Sequence, residues 1–359
     1  MYVIEVFVDN EGQEGAQVTF LTEKSNERIA ISLFKSNTTK TQTNKGSEHA
    51  HAIDRTVELL AQSVDAEDED EADALQDEAS VVIYAVASSL DQDSAASEES
   101  SQPPKEVVLH NLLFLKTSFY RLEEVAGELT VVSISADEAY GPTYDEDQGQ
   151  NIPEFGDEIH IDSSLPSYTP AQVKVVEQLV HGGGIVCLAE VNGCQMLCKA
   201  RYDGLGDYNL KREINCLQKI SRALPDRVIP IPKLLGFVKH PRSSAILGLL
   251  REWVPSKDNL KDLEEAGFPN FPKETRQKVA RQIKETVELL HGIGLIWGDA
   301  KPSNVVIDLN NDAWLIDFGG GWSEGWVDES LQNTVEGDLQ AVTRIVEFLD
   351  VNPFDNSST

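Results

Sequence analysis

The chain contains the stretch Asp299-Ala300-Lys301-Pro302-Ser303-Asn304, followed thirteen residues later by Asp317-Phe318-Gly319. Between the two motifs, two apolar runs flank the Asx-rich segment 308–312, a pattern that predicts a β-hairpin. Because the entrance and exit of a hairpin lie on the same side, we expect the carboxylates of Asp299 and Asp317 to be neighbours. The sequence therefore predicts one site that contains two carboxylates, an ammonium group and a carboxamide.

These groups are the ones that phosphoryl transfer requires, namely a base, a positive charge and ligands for magnesium. The order Asp-x-Lys-x-x-Asn, followed by Asp-Phe-Gly, resembles the catalytic loop and the magnesium loop of the protein-kinase-like superfamily, at the spacing usual in protein kinases. A chance occurrence of both motifs in an unrelated hairpin is the disfavoured alternative. The resemblance implies ATP and Mg²⁺ as cofactors.

The resemblance also implies a role for each of these residues. Asp299 would orient or deprotonate the acceptor hydroxyl group, and Lys301 would neutralise the moving phosphoryl group. Asn304 and Asp317 would bind magnesium, and Gly319 is expected to be a structural residue of the magnesium loop.

A kinase-like fold requires a lysine on a strand and a glutamate on the next helix, which together position the nucleotide phosphates. The apolar run 196–200 predicts a strand that carries Lys199, and apolar positions in 210–217 predict a helix that carries Glu213. Two unrelated surface charges are the alternative. The order of the two residues and their distance from the downstream motifs favour a nucleotide-binding pair.

The loop expected to cover the phosphates is irregular. When the kinase glycine fingerprint is aligned on Val186, only Gly184 occupies a glycine position. Gly182, Gly183 and Gly184 can still offer backbone N–H groups to phosphate oxygens. A simple turn between two strands is an equally favoured interpretation.

The segment 246–254 resembles the strand that leads into the hinge where adenine docks, and Glu252 is expected to contact the nucleotide there. Arg251 would line the back of that pocket, whereas an alignment shifted by one residue would place Leu250 there. Both alternatives remain open at this point. The segment 274–291 then predicts a long amphipathic helix in a second lobe.

The surroundings of Asp299 depart from the usual protein-kinase pattern. Trp297 and Gly298 stand where His-Arg is usual, and that arginine commonly pairs with a phosphorylated activation loop. A glycine before the aspartate is also usual in aminoglycoside phosphotransferases and choline kinases. Only about twenty residues separate Asp317 from Asp338, which is expected to anchor the catalytic-loop backbone. This pattern resembles the reduced protein-kinase-domain proteins of filamentous fungi.

The rest of the chain has a different character. Of the net charge of −31 over 359 residues, residues 1–160 contribute −25, from 9 Lys and Arg against 34 Asp and Glu. Such a charge disfavours a nucleic-acid partner. The four cysteines show no zinc-binding spacing, and no apolar run is long enough to span a membrane. We therefore expect a soluble intracellular protein, in cytoplasm or nucleus, with no membrane partner.

The expected fold class is α+β: a two-lobed protein-kinase-like fold with a reduced C-terminal lobe, preceded by a small α+β accessory region. The predicted domains are an acidic accessory region (1–144) with a disordered acidic insert (about 64–104), a linker (145–165), and a kinase-like domain with lobes 166–254 and 255–359. The predicted strands of the accessory region are Tyr2–Val8, Ala16–Leu21, Ile29–Phe34, Val81–Ala87, Val107–Leu115 and Leu129–Ile134, with a helix at Ile53–Ser63. The acidic run is expected to be a solvated loop, and binding of a protein partner is the alternative.

Three functions are compatible with the sequence. The first is an ATP- and Mg²⁺-dependent phosphotransferase of protein-kinase type, acting on protein Ser or Thr. The second is the same chemistry on a small-molecule hydroxyl group, as Gly298 and the short segment after Asp317 suggest. The third is a non-catalytic kinase-like binding module, which the irregular glycine loop, Trp297 and Arg251 favour. Retention of every charged group favours an enzyme whose acceptor is unidentified.

Overall fold

The computed structural model describes residues 2–8, 14–22, 27–36, 48–66, 69–93, 107–141, 161–180, 184–201, 208–225, 227–242, 245–259 and 271–351. The chain divides into two compact units, one with residues 1–106 and 111–151 and the other with residues 107–110, 152–202 and 206–359. No helix of the described residues is both long enough and apolar enough to cross a membrane.

The first unit is built on a sheet whose described strands, in spatial order, are β1 (Tyr2–Val8), β2 (Gly15–Leu21), β3 (Arg28–Phe34), β4 (Thr117–Val125) and β5 (Glu128–Ser133). Neighbouring strands are antiparallel except β3 and β4, which run parallel. Two helices, α1 (Glu48–Asp65) and α2 (Glu69–Asp93), lie in the connection between β3 and β4. The strands predicted at both ends of this unit and the helix predicted at 53–63 are confirmed.

The helix α2 corrects two expectations. Residues 69–93 are helical, although the sequence predicted a disordered insert over about 64–104 and a strand at Val81–Ala87. Ala79, Ile83 and Ala87 are fully buried at a four-residue spacing and pack with α1 over the sheet. Packing of this face outweighs the strand propensity of the β-branched residues, and acidic residues in the first turns favour a helix. Residues 94–106 lie outside the described residues.

A second correction concerns Val107–Leu115, which was predicted to be a strand. Val108 makes only an isolated bridge to Lys174, and the chain then enters the short helix α3 (Leu109–Leu113). The buried side chains of Leu109 and Leu113 lie four residues apart, which is helical spacing. Most of the predicted linker, 145–165, lies outside the described residues.

Glu5 makes the stability of the first unit dependent on pH. Burial raises the pKa of Glu5 to about 7, and the charge of Arg28 only partly opposes that rise. The folded unit therefore prefers the protonated carboxyl group. The contribution of this group to stability is fully present below the unfolded pKa near 4.3 and is lost as the pH rises through about 7. A shift of this size corresponds to about 3 kcal/mol.

We expect Glu5→Gln to remove this pH dependence, because glutamine resembles the protonated acid. Hydrogen exchange of β2 in urea, measured at pH 5 and pH 8, gives the free energy of unfolding for each variant. Glu128→Gln changes an exposed carboxylate of the same sheet and serves as the control. Equal pH dependence in the intact protein and Glu5→Gln would contradict the expectation.

The second unit begins with a mixed sheet of six strands. They are β6 (Ser167–Tyr168), β7 (Lys174–Val180), β8 (Ile185–Val191), β9 (Cys194–Ala200), β10 (Leu234–Lys239) and β11 (Ile246–Glu252), in the spatial order β6-β10-β11-β9-β8-β7. Helix α4 (Tyr208–Ala223) packs against β10 and β11. Leu210, Ile214 and Leu217 form its buried face, at the spacing that the sequence predicted.

The remainder of this unit combines two helices with a small antiparallel sheet. The elements are β12 (Ser256–Asn259), helix α5 (Lys273–Gly292), β13 (Val305–Asp308), β14 (Ala313–Leu315) and helix α6 (Val335–Phe348). Apolar residues of α4, β10, α5, the hairpin and α6 form one continuous core. The predicted long helix and the predicted hairpin are confirmed, and this core fixes them relative to α4.

Candidate active site

The hairpin of β13 and β14 holds the two predicted motifs together. Asp308 closes its turn, because the Oδ1 atom accepts hydrogen bonds from the backbone N–H groups of Asn310 (2.7 Å) and Asp312 (2.9 Å). At the open end, the Ile316 N–H donates to the carbonyl oxygen of Asn304 (3.0 Å). The catalytic loop, residues 296–304, and the magnesium loop, residues 317–320, therefore meet as predicted.

Asp299 lies at the centre of a hydrogen-bonded cluster in the catalytic loop. Its Oδ2 is 2.8 Å from the Lys301 ammonium group and accepts from Asn304 Nδ2, also at 2.8 Å. The same Asn304 amide donates to the Asp299 carbonyl oxygen. Ser323 completes the cluster, because its hydroxyl group donates to Asp299 Oδ1 (3.1 Å) and accepts from Lys301 Nζ (2.9 Å). The carboxylate is thus fixed in orientation and buried.

Lys199, on β9 of the six-stranded sheet, contacts the magnesium loop. Its ammonium group lies 2.9 Å from Glu213 Oε2 on α4 and 2.9 Å from Asp317 Oδ1. The side chain of Glu213 is almost completely buried. The lysine and the glutamate form the pair that the sequence predicted, and Asp317 is a third member.

The charges of this cluster support one another. Burial alone would lower the pKa of Lys199, but the carboxylates of Glu213 and Asp317 outweigh burial and raise that pKa above its usual value. Burial alone would raise the pKa of Asp317, yet Lys199 and the Gly319 N–H hold that pKa below its usual value. Both groups therefore remain charged at neutral pH, which is the state that phosphate and metal binding require.

The backbone of the magnesium loop is in a sparsely populated conformation. Asp317 has φ +58°, a left-handed value that few residues other than glycine and the Asx residues adopt. Phe318, whose side chain is buried, and Gly319, whose N–H donates to Asp317 Oδ1 (3.3 Å), follow it. Such strain persists where surrounding packing imposes it, and it is common at functional sites.

Asp338 in α6 anchors the backbone of the catalytic loop. Its oxygens accept from the N–H groups of Trp297 (2.8 Å) and Gly298 (2.9 Å), and its Oδ2 is 2.8 Å from His291 Nε2. The buried carboxylate therefore pairs two buried amides. Since an unpaired buried amide costs about 1–3 kcal/mol, Asp338 contributes strongly to the shape of this loop.

The structure shows which of Arg251 and Leu250 shares a sheet face with Lys199. Arg251 pairs with Leu197 across β11 and β9, so its side chain lies on the same sheet face as that of Lys199. Its Nε is 3.8 Å from Glu213 Oε1, and the side chain is 92% buried. Burial lowers the pKa of Arg251, although Glu213 opposes this effect. A buried arginine therefore lies on the sheet face that carries Lys199.

The other predicted nucleotide-binding residues occupy varied positions. Val186 lies directly opposite Lys199 across β8 and β9, on the same sheet face. Gly184 directly precedes β8, and a Cβ there would lie 3.1 Å from the carbonyl oxygen of Ala200. Glu252 ends β11, where its carboxylate accepts from the Lys233 N–H (3.3 Å). Gly182 and Gly183 lie outside the described residues.

Two contact residues were not predicted from the sequence. Ser323 bridges Asp299 and Lys301, and no sequence pattern marks it. Arg212 contacts both loops through hydrogen bonds to their carbonyl oxygens. Its position next to Glu213 could have indicated a role, but adjacent helical residues point in different directions.

The donor set fits magnesium. Asn304 donates from its Nδ2 to Asp299, which leaves its Oδ1 directed elsewhere. Among the described residues, none donates a hydrogen bond to this Oδ1. Asp317 uses Oδ1 for Lys199 and Gly319, and among the described residues nothing donates to its Oδ2. Two oxygen ligands of this kind, with phosphate oxygens and water, match the preference of Mg²⁺.

Comparison with known proteins agrees with this geometry. A family model described as protein kinase domain matches residues 193–339. The chain is 32% identical over 116 residues to a protein described as "Probable casein kinase I homolog" from Encephalitozoon cuniculi. The aligned region covers 31% of this chain and 36% of that protein. The chain is 29% identical over 112 residues to serine/threonine-protein kinase F of Synechocystis, 30% of this chain and 22% of that kinase.

A third relative, serine/threonine-protein kinase ppk34 of Schizosaccharomyces pombe, is 42% identical over 52 residues, 14% of this chain and 15% of the kinase. The chain thus spans little more than a third of the length of these relatives at most. The narrower resemblance to reduced kinases of filamentous fungi, aminoglycoside phosphotransferases and choline kinases stays a prediction. The mixed α and β fold, the charged cluster and the family match agree: residues 193–339 are similar to a protein kinase domain.

Proposed function

We propose that the chain transfers the terminal phosphate of ATP to a hydroxyl group, with Mg²⁺, and that the acceptor is a serine or threonine of a protein. The observation that carries this proposal is the hydrogen-bonded cluster of Asp299, Lys301 and Asn304 beside the Lys199–Asp317 pair. Two of the relatives are named serine/threonine-protein kinases, which supports this class of acceptor.

Asp299 is the base in this proposal. Its Oδ1 accepts a hydrogen bond from the hydroxyl group of Ser323, which is the kind of donor that an acceptor substrate presents. Oδ2 is held by Lys301 and Asn304, so the carboxylate cannot rotate freely. As the acceptor oxygen bonds to phosphorus, the bond to the leaving ADP oxygen breaks and the hydroxyl proton passes to Asp299.

Lys199, Lys301 and the metal ligands manage the negative charge of the phosphates. Lys199, held by Glu213, would pair with the phosphates close to the sheet, and Lys301 would neutralise the transferred group. Bound Mg²⁺, held by Asn304 and Asp317, would supply further charge neutralisation. Gly182, Gly183, Gly184 and Val186 would cover the nucleotide, and Glu252 would lie at its base, as proposed binding residues.

A non-catalytic binding module is the second candidate, and Arg251 favours it. Its buried guanidinium group lies on the sheet face of Lys199, where it would reduce the apolar space for a nucleotide base. Gly298, by contrast, favours no class of substrate: a Cβ there would collide with Arg212, so glycine has a packing explanation. The small-molecule alternative thus loses one of its two supports.

Turnover of ATP labelled in the terminal phosphate, with a generic protein substrate and separately with a panel of small alcohols, tests the proposal. We expect Mg²⁺-dependent label in the protein substrate and none in the alcohols. Label in an alcohol alone would establish the small-molecule alternative. Nucleotide binding without label in either acceptor would establish the binding module.

A further inference from the structure

Arg212 in helix α4 contacts both functional loops at once. Its Nη1 donates to the carbonyl oxygens of Trp297 (3.1 Å) and Phe318 (2.6 Å), and its Nη2 donates to the carbonyl oxygen of Ile296 (3.1 Å). Two of these carbonyl groups belong to the catalytic loop, and the third belongs to the magnesium loop. A planar guanidinium group has the several diverging N–H donors that such a three-way contact requires.

The same helix carries the partner of Lys199. Glu213 follows Arg212 directly, so the two side chains leave the helix in different directions. Glu213 reaches the lysine of β9, while Arg212 reaches the two loops. Lys219, seven residues further along the Arg212 side, donates to the carbonyl oxygen of Gly294 (2.7 Å) just before the catalytic loop. Two cations of α4 thus bind the backbone that leads to Asp299.

Two glycines make room for the Arg212 guanidinium group. A Cβ at Gly298 would collide with Arg212 Nη2, and a Cβ at Gly320 would lie 3.0 Å from Nη1, with Cδ and Cζ as its other nearest neighbours. Both glycines also have positive φ values, +85° and +82°. The absence of a side chain at Gly298, before Asp299, and at Gly320, after Gly319, therefore leaves the space that Arg212 fills.

We propose that Arg212 is a positioning residue for phosphate transfer. It holds α4, and with it Glu213, at a fixed distance from the catalytic and magnesium loops, so that Lys199 and Asp317 keep their contact. The link consists of atoms of this chain and needs no phosphorylated residue, which agrees with Gly298 standing where a phosphate-linked arginine is usual. The inference rests on the proposed function and adds the element that aligns its site.

Arg212→Ala and Arg212→Lys in the full chain test this role through two readouts. For Arg212→Ala we expect kcat to fall by about 10- to 100-fold, because small displacements of reacting groups cost that much, while KM for ATP changes by less than about threefold. Hydrogen exchange should accelerate in α4 and in the magnesium loop but not in β10 and β11. Arg212→Lys keeps the charge without the planar guanidinium group. Its kcat and exchange rates should lie between those of the intact protein and those of Arg212→Ala.

Arg222→Ala is the matched control, since it removes an exposed arginine from the last turn of the same helix. Unchanged kcat and unchanged exchange in Arg212→Ala would overturn the proposal. If that variant does not fold, the same readouts on Arg212→Lys decide, and wild-type values there would overturn it equally. If the intact chain transfers no phosphate, the proposed function fails, and the exchange rates alone show whether Arg212 positions the helix.

Discussion

Asp299→Asn lowers the rate of phosphate transfer by about 10²- to 10⁴-fold and leaves nucleotide affinity nearly unchanged, because it removes the base but keeps the shape. Asparagine is isosteric with aspartate, so its oxygen can still accept from Asn304 while its Nδ2 group donates to the Ser323 hydroxyl group. It cannot take the hydroxyl proton, and it loses the charge that holds Lys301 at 2.8 Å. Both losses act on transfer, whereas the proposed nucleotide contacts lie on Lys199 and Asp317.

The rate is measured with labelled ATP under single-turnover conditions, and the affinity is measured by calorimetry on the same preparations. Asp350→Asn provides the control, since it makes the same chemical change in a side chain that is 93% exposed. Transfer at the wild-type rate in Asp299→Asn would show that Asp299 is not the base. A parallel loss of affinity would show that the residue binds nucleotide instead.

Much of the second unit was predictable from short-range patterns. The Asx-rich segment 308–312 predicted a hairpin, and its turn is closed by Asp308 as such segments require. Apolar residues at helical spacing predicted α4 and α5, and their buried faces follow that spacing. The pairing of Lys199 with Glu213 could be predicted because the kinase-like order of motifs fixes which strand and which helix face each other.

The predictions from sequence failed where contacts between distant parts of the chain determine the local structure or the position of a side chain. Val81–Ala87 has the composition of a strand, but its buried positions meet α1 only as a helix. Periodicity could not place Arg251, because a shift of one residue exchanges the two faces of a strand. Arg212 and Ser323 act through loops that are distant in the sequence, and no local pattern encodes such contacts.

Asp317→Asn is expected to lower the affinity for nucleotide in the presence of Mg²⁺ by at least about tenfold, while the protein without ligand stays folded. The carboxylate is both a proposed metal ligand and a partner of Lys199. Asparagine is the cleaner substitution, because the residue has φ +58° and an alanine there would add backbone strain of about 1–2 kcal/mol. Glu324→Gln, an exposed carboxylate of the following segment, is the control.

The melting temperature of the intact protein, with ATP and Mg²⁺ and with ATP and EDTA, tests the central claim most directly. At a Mg²⁺–ATP concentration one hundred times the dissociation constant, binding stabilises the folded state by about 2.7 kcal/mol. We therefore predict a rise of about 5 °C or more that requires Mg²⁺ and is lost in Asp317→Asn. No rise in the intact protein at millimolar Mg²⁺–ATP would contradict the assignment of this cluster as a nucleotide and metal site.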